Sequence, residues 1–326
     1  MIHMVALRSM LVAPGATPDR RGRGPEWPTW LLIVAIYGGW ALLTWYHAAL
    51  PVWALAAMGG WVIAWQMSLQ HELLHGHPTR RRWLNHALGF PPLNLWLPFR
   101  VYRRTHLRHH RDEHLTDPLE DPESYYLSPG RRLHVLHWRF LRLCNTVPGR
   151  LLLGPARVVT FLLAGEVRAL LRGNREAWRT WPTHLLGVAA VLAWVSLVCR
   201  MSLPAYLALF VYPGVALTLL RSLAEHRAAP GVPQRTAVVE NAPLMGLLYL
   251  HNNLHIVHHA RPDLPWYRIP AWYRANRSLL LAQNGGLVYD GYGDVLRRYL
   301  TSPHHDPLHP IVGMKPAAPQ APAAPT

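Results

Sequence analysis

Three groups of histidines carry the chemistry that this sequence can do. The first is His71-Glu72-Leu73-Leu74-His75-Gly76-His77, and the second is His106-Leu107-Arg108-His109-His110. The third is His251-Asn252-Asn253-Leu254-His255-Ile256-Val257-His258-His259. Residues three and four apart share one face of a helix, so imidazoles at these spacings can converge on one ion or a pair. Neutral imidazole is the commonest protein ligand for borderline metals. The chain holds 21 histidines but only two cysteines, Cys144 and Cys199. That balance excludes a disulfide framework, a zinc ribbon and a cysteine-held iron–sulfur cluster, and leans toward iron, copper or zinc. Electrons for such a centre must then come from another protein. His71-Glu72-Leu73-Leu74-His75 also matches HExxH, where the glutamate is the general base of a zinc protease. The other two clusters are superfluous to that chemistry.

The elements that must position these histidines are membrane helices. A bilayer-crossing helix needs about 20 apolar residues, and four stretches meet that requirement: residues 29–50, 52–69, 181–198 and 203–220. Very short links around Pro51 and around Arg200–Ser202 join them into two hairpins, and Pro213-Gly214 is expected to bend the fourth span rather than end it. Residues 83–99 contain Pro91, Pro92 and Pro98, and residues 151–171 contain Arg157, Glu166 and Arg168. The first is expected to be a broken, re-entrant or interfacial segment, and both are read as lying at the membrane surface. The expected fold class is therefore all-α: an integral membrane four-helix transmembrane bundle with a helical cap that carries the histidine boxes.

Charge orients the bundle. Lys and Arg number 33 against 17 Asp and Glu, and the segment between the hairpins is rich in arginine. By the positive-inside rule this segment and both termini face the cytoplasm. An even number of spans between clusters then puts every histidine group on one side. His226, just past the fourth span, falls at the same depth and joins the candidate ligands. Three regions are expected: a basic, disordered arm over residues 1–26, a membrane domain over 27–302, and a loose Pro/Ala-rich tail over 303–326. His304 and His305, in that tail, are expected to be dispensable.

The order of four spans, HxxxH, HxxHH, a lone histidine and HxxHH resembles the membrane fatty-acid desaturase and hydroxylase superfamily. Leu115-Thr116-Asp117-Pro118, Asp121-Pro122-Glu123-Ser124 and Leu264-Pro265-Trp266-Tyr267-Arg268-Ile269-Pro270 are similar to its bacterial branch. The resemblance implies a non-haem di-iron centre held by His71, His75, His106, His109, His110, His226, His255, His258 and His259. It also implies O2 as co-substrate, an external ferredoxin-like electron donor, a membrane lipid or acyl-carrier substrate and a bacterial inner-membrane location. The chain departs from stearoyl-type desaturases, which have a longer first box and an asparagine where this chain has Ser222. Asn252-Asn253-Leu254 replaces the Gly-Glu pair that often precedes the third box. His77, His114 and His251 are left as supporting residues, and Glu72, Asp112, Glu113 and Asp117 as partners for the outer ring N–H of ligand imidazoles. Trp61, Trp65 and Trp96 are candidates to line an acyl channel.

The expected reaction is desaturation of a long acyl chain. A carotenoid ketolase or hydroxylase, or a lipid or alkane hydroxylase, is the enzymatic alternative, since hydrogen abstraction can end in a double bond or a hydroxyl. A non-catalytic metal-binding or transport protein is the alternative of another class. It predicts charged residues within the spans, and the four apolar cores have none except at their ends.

Overall fold

The computed structural model describes residues 24–310; the expected N-terminal arm up to residue 23 and the tail from residue 311 lie outside them. Helix α1 (Trp27–Trp45) and α2 (Val52–Leu74) form the first hairpin. Between the hairpins come α3 (Arg82–Gly89), α4 (Phe99–His109), α5 (Val135–Cys144), α6 (Val147–Leu152) and α7 (Gly154–Leu171). Helices α8 (Arg175–Val198) and α9 (Leu203–Leu223) form the second hairpin. All four hairpin helices are long and apolar enough to cross a membrane. Beyond them lie β1 (Val238–Glu240), α10 (Pro243–Leu248), α11 (His255–Ala260), α12 (Ile269–Gln283), β2 (Val288–Asp290) and α13 (Gly291–Tyr299). The fold is an all-α membrane bundle with a small cap, as the sequence predicts.

Helices α2 and α9, which lead into the first histidine box and into His226, pack backbone to backbone. A Cβ added at Gly59 would lie 2.6 Å from the Leu209 carbonyl oxygen, one at Gly60 2.8 Å from Pro213, and one at Gly214 2.5 Å from Ile63 Cβ. Small residues allow this approach where lipid gives no hydrophobic drive for helix association. The fourth helix passes through Pro213 as expected, with a π-turn at Leu207–Val211 just before it. Substituting valine for Gly214 should therefore force the helices apart, at a cost of about 1–3 kcal/mol for overpacking. It should also separate the histidines on α2 from those beyond α9. Thermal unfolding in detergent, read beside metal content, checks this; Gly38→Ala, with nothing within 4 Å of the new carbon, should change neither.

The proline-rich stretch after α3 does not lie on the surface. Leu93 and Leu97 belong to the same buried core as the spans. Irregular backbone is tolerated at such depth only when its polar groups find partners, and every span donates one, either to the stretch or to the last carbonyls of α3. Tyr37 of α1 donates to the Leu88 carbonyl, Gln66 and Gln70 of α2 to Pro91 and Gly89, and Tyr206 of α9 to Leu93. His184 of α8 bonds the Leu95 carbonyl at 3.1 Å. The segment packs into the bundle core, which fits the re-entrant alternative and corrects the surface one; the polar residues that stabilise it are scattered over four helices and give no local signal. Helix α7 does expose Phe161, Val167 and Leu171. Its Glu166 is gripped by Arg104 of α4 and Trp181 of α8.

In the cap, β1 and β2 pair in parallel, Val238 opposite Val288 and Glu240 opposite Asp290. Strand β1 also fixes the third histidine box, because Val239 N–H donates to the Asn253 carbonyl and the Asn253 side chain donates back to Val239. The tail is docked rather than loose over residues 303–310. Leu127 N–H donates to the Pro307 carbonyl, His309 N–H to Leu127, and His304 N–H to Asn145. His304 is buried, with its Nε2 3.1 Å from the Tyr289 hydroxyl, so the expectation of a loose tail does not hold for these residues.

Burial, together with Arg150 and Arg227, pushes the His304 imidazole down from 6.5 to about 3, and burial lowers His305 as well. Folded protein therefore keeps His304 neutral over a range in which an undocked tail is protonated. Docking stability is fully present above about pH 6.5 and is lost as pH falls toward 3, by at most about 1.4 kcal/mol per pH unit for each histidine. Limited proteolysis at the C-terminal end should quicken between pH 7.5 and pH 5, and less so in His304→Gln. A rate independent of pH would contradict this.

Candidate metal centre

The last turn of α2 presents His71 on the helix and His75 at its C-cap, and α4 presents His106 and His109, with His110 at its end. His226 follows α9 by a short turn and pairs its backbone with Thr236. The six-residue α11 supplies His255, His258 and His259. Two non-glycine residues with left-handed φ, Leu250 (50°) and His251 (58°), turn the chain just before that helix. Such conformations are costly and persist where surrounding structure enforces them.

The nine candidate ligands fall into two groups. One holds His71, His75, His106, His110 and His258, and the other His109, His226, His255 and His259; within each, one ligand atom per residue lies within 4.8 Å of all the others. No sequence-predicted ligand is left outside. In the first group His258 Nε2 lies 3.1 Å from His71 Nε2 and 2.8 Å from His110 Nε2, and His106 Nε2 lies 3.1 Å from His75 Nε2. In the second, His226 Nε2 lies 3.1 Å from His109 Nε2 and 2.9 Å from His255 Nε2.

The outer ring nitrogens fix the tautomers. His106 Nδ1 donates to Glu123 at 2.8 Å and His109 Nδ1 to Asp121 at 2.9 Å. His226 Nδ1 donates to the Arg235 carbonyl, and His255 Nδ1 to Asn252 at 3.0 Å. With these Nδ1 atoms holding a proton, the Nε2 atoms of His109, His226 and His255 face one another at hydrogen-bonding distance. A proton on His109 Nε2 would bridge only to His226 and leave the His226–His255 pair opposed, whereas a cation between them relieves both. The residues fit a metal.

The electrostatics agree. Burial pushes His75 and His106 below their ordinary range, toward the neutral form a metal needs. Burial acts on His109 in the same direction, but Glu123 and Asp121 outweigh it and push that imidazole up to about 9. The carboxylates thus call for positive charge at His109, and a bound cation competes for that place with the proton.

The supporting carboxylates differ from those expected. The partners are Asp121, Glu123 and Glu225, the last 3.3 Å from His255 Nδ1. Glu225 is itself held by buried Arg221 at 2.9 Å and by Asn252 at 3.0 Å. The Arg221–Glu225 pair has helical i,i+4 spacing, a signal the sequence did contain. Glu72 instead accepts the Trp266 N–H and anchors the segment after the third box. Asp117 caps the turn at Leu119 and Glu120, and Glu113 lies near exposed His114. The Asp112 side chain lies outside the described residues. His77 pairs with buried Glu26, and His251 stacks on Trp266 at 6.0 Å. Trp65 and Trp96 pack against the main core, and Trp61 beside Leu248 and Tyr249.

No curated protein matches the chain. The family model described as fatty acid desaturase matches residues 47–291, which span α2 through β2 and include all nine clustered histidines. On the extent of that match, the chain belongs to the fatty acid desaturase family.

Proposed function

We propose that this protein is an O2-dependent di-iron fatty acyl desaturase of a bacterial inner membrane, with both termini in the cytoplasm. One observation carries the reading: nine histidines gather into groups of five and four within a chain of this family. His71, His75, His106, His110 and His258 would hold one iron, and His109, His226, His255 and His259 the other. When bound, the iron pair supplies with O2 the oxidising power that an unactivated C–H bond demands. An external donor supplies two electrons and the acyl chain two more, so that O2 leaves as water while a double bond forms.

The chain's own residues orient and enclose. Glu123, Asp121 and Asn252 hold imidazole Nδ1–H groups and aim each Nε2 inward, and such partners also raise ligand basicity. His71, His106, His109, His255, His258 and His259 are buried, which keeps bulk water from the oxidising centre. Both cysteines are buried and unpaired with each other, consistent with an electron donor on a separate protein. The engagement of Glu72 with Trp266 argues against its use as the base of a zinc protease.

Expression in a heterologous host, followed by fatty-acid and carotenoid analysis, tests the reaction. A new unsaturated acyl product that disappears in His110→Ala is the expected result. A ketone or hydroxyl on a supplied carotene, with fatty acids unchanged, would move the assignment to carotenoid oxidation.

A further inference from the structure

The bulkiest fully buried side chain in the described protein is Arg150 on α6, 1% exposed. Its Nε and Nη1 atoms have no hydrogen-bond partner although the guanidinium also bonds Tyr125, and among the described residues no carboxylate pairs with it. The guanidinium lies 3.8 Å over the ring of Tyr125, and Arg157 lies 5.6 Å from the same ring. His304 and His305 are further electrostatic neighbours. The site thus holds two arginines, two histidines, a phenol and the Cys144 thiol, with no carboxylate. The undescribed ends add a single acidic side chain, Asp19.

A guanidinium stays charged in proteins. Burying it without a counter-ion carries a large desolvation penalty, which a cation–π contact offsets only in part. The fold pairs its other deeply buried arginine, Arg221, with Glu225. The orphaned fork at Arg150 matches an oxyanion, which guanidinium binds through parallel N–H donors.

The surroundings narrow the ligand further. Tyr125, together with Val158 and Leu162 of α7, packs against the apolar core of the bundle. Positive charge and apolar interior therefore meet where cap and bundle join. The geometry points to Arg150, assisted by Arg157, as the anchor for an oxyanion headgroup, phosphate or carboxylate, of an acyl amphiphile. This inference rests on the acyl reading of the function and names where the polar end of such a substrate docks. The orphan nitrogens are closed to water, so the half-buried rings of Tyr125 and His305 must move aside to admit it.

The test uses full-length, iron-grown protein in non-ionic detergent, titrated calorimetrically with hexadecyl phosphate, palmitate, hexadecanol and inorganic phosphate. Charge-assisted hydrogen bonds should make at least one anionic amphiphile bind about tenfold or more tighter than the alcohol. Arg150→Gln should abolish that preference and Arg150→Lys retain part of it, with iron content unchanged in both. Arg157→Gln, at a half-buried position, should give a smaller loss and serves if Arg150→Gln does not fold. Tighter binding of hexadecyl phosphate than palmitate would mark a phosphate headgroup, and the reverse a free carboxylate. Equal binding of anions and alcohol would overturn the site, as would a preference that survives in iron-replete Arg150→Gln. Displacement of hexadecyl phosphate by equimolar inorganic phosphate would overturn the amphiphile. Because the readout is equilibrium binding, a protein that binds the anion but makes no double bond refutes the reaction and leaves the site standing.

Discussion

Replacing His258 with alanine is expected to cut turnover by more than about 10²-fold, beyond the 10–100-fold that losing a mere partner of a ligand costs. His258 bridges the first two boxes in the five-histidine group, with Nε2 contacts to both His71 and His110. Its loss opens that group on the α11 side and leaves His71 and His110 without their common neighbour. Iron should fall from about two ions per chain to about one, since the four-histidine group is a separate set. His114→Ala, at an exposed side chain near Glu113 on the cap surface, should leave both iron and turnover unchanged. Full iron and full activity in His258→Ala would show that the five-histidine group is not a metal site.

The second large effect concerns the carboxylates behind the ligands. Asp121 accepts from His109 Nδ1 and also from the Thr116 and Glu123 backbone N–H groups, so it organises the loop as well as the ring. Asp121→Asn keeps that shape and removes the charge. It should weaken iron retention in the four-histidine group by about 10–100-fold, and Glu123→Gln should act similarly on the five-histidine group through His106. Iron retention against a competing chelator measures both. Wild-type retention in both variants would reduce the two residues to loop fasteners.

The histidine groups and the four spans were legible in the sequence because both depend on local periodicity. The i,i+4 and i,i+3,i+4 spacings declare a common helical face, and long apolar runs declare their length. The carboxylates Asp121 and Glu123 were not legible. Asp112, Glu113 and Asp117 lie nearer the second box in sequence, yet the chain turns through the Thr116–Asp121 hydrogen bond and delivers Asp121 and Glu123 from farther along. Glu72 is adjacent to His71, but adjacent helical residues face different directions, and its carboxylate meets Trp266. The re-entrant stretch and the docked tail failed for one reason: each is stabilised by partners remote in sequence, such as Tyr206 for Leu93 and Asn145 for His304. Composition at 303–310 records none of that. The pairing of β1 with β2 likewise joins short segments separated by α10 to α12, too brief to show alternation.

Metal analysis of protein purified from iron-supplied cells, with spectroscopy of the bound metal, tests the central claim most directly. About two non-haem iron ions per chain, bound without sulfide or haem, is the predicted result. One tightly held zinc and no iron would contradict it.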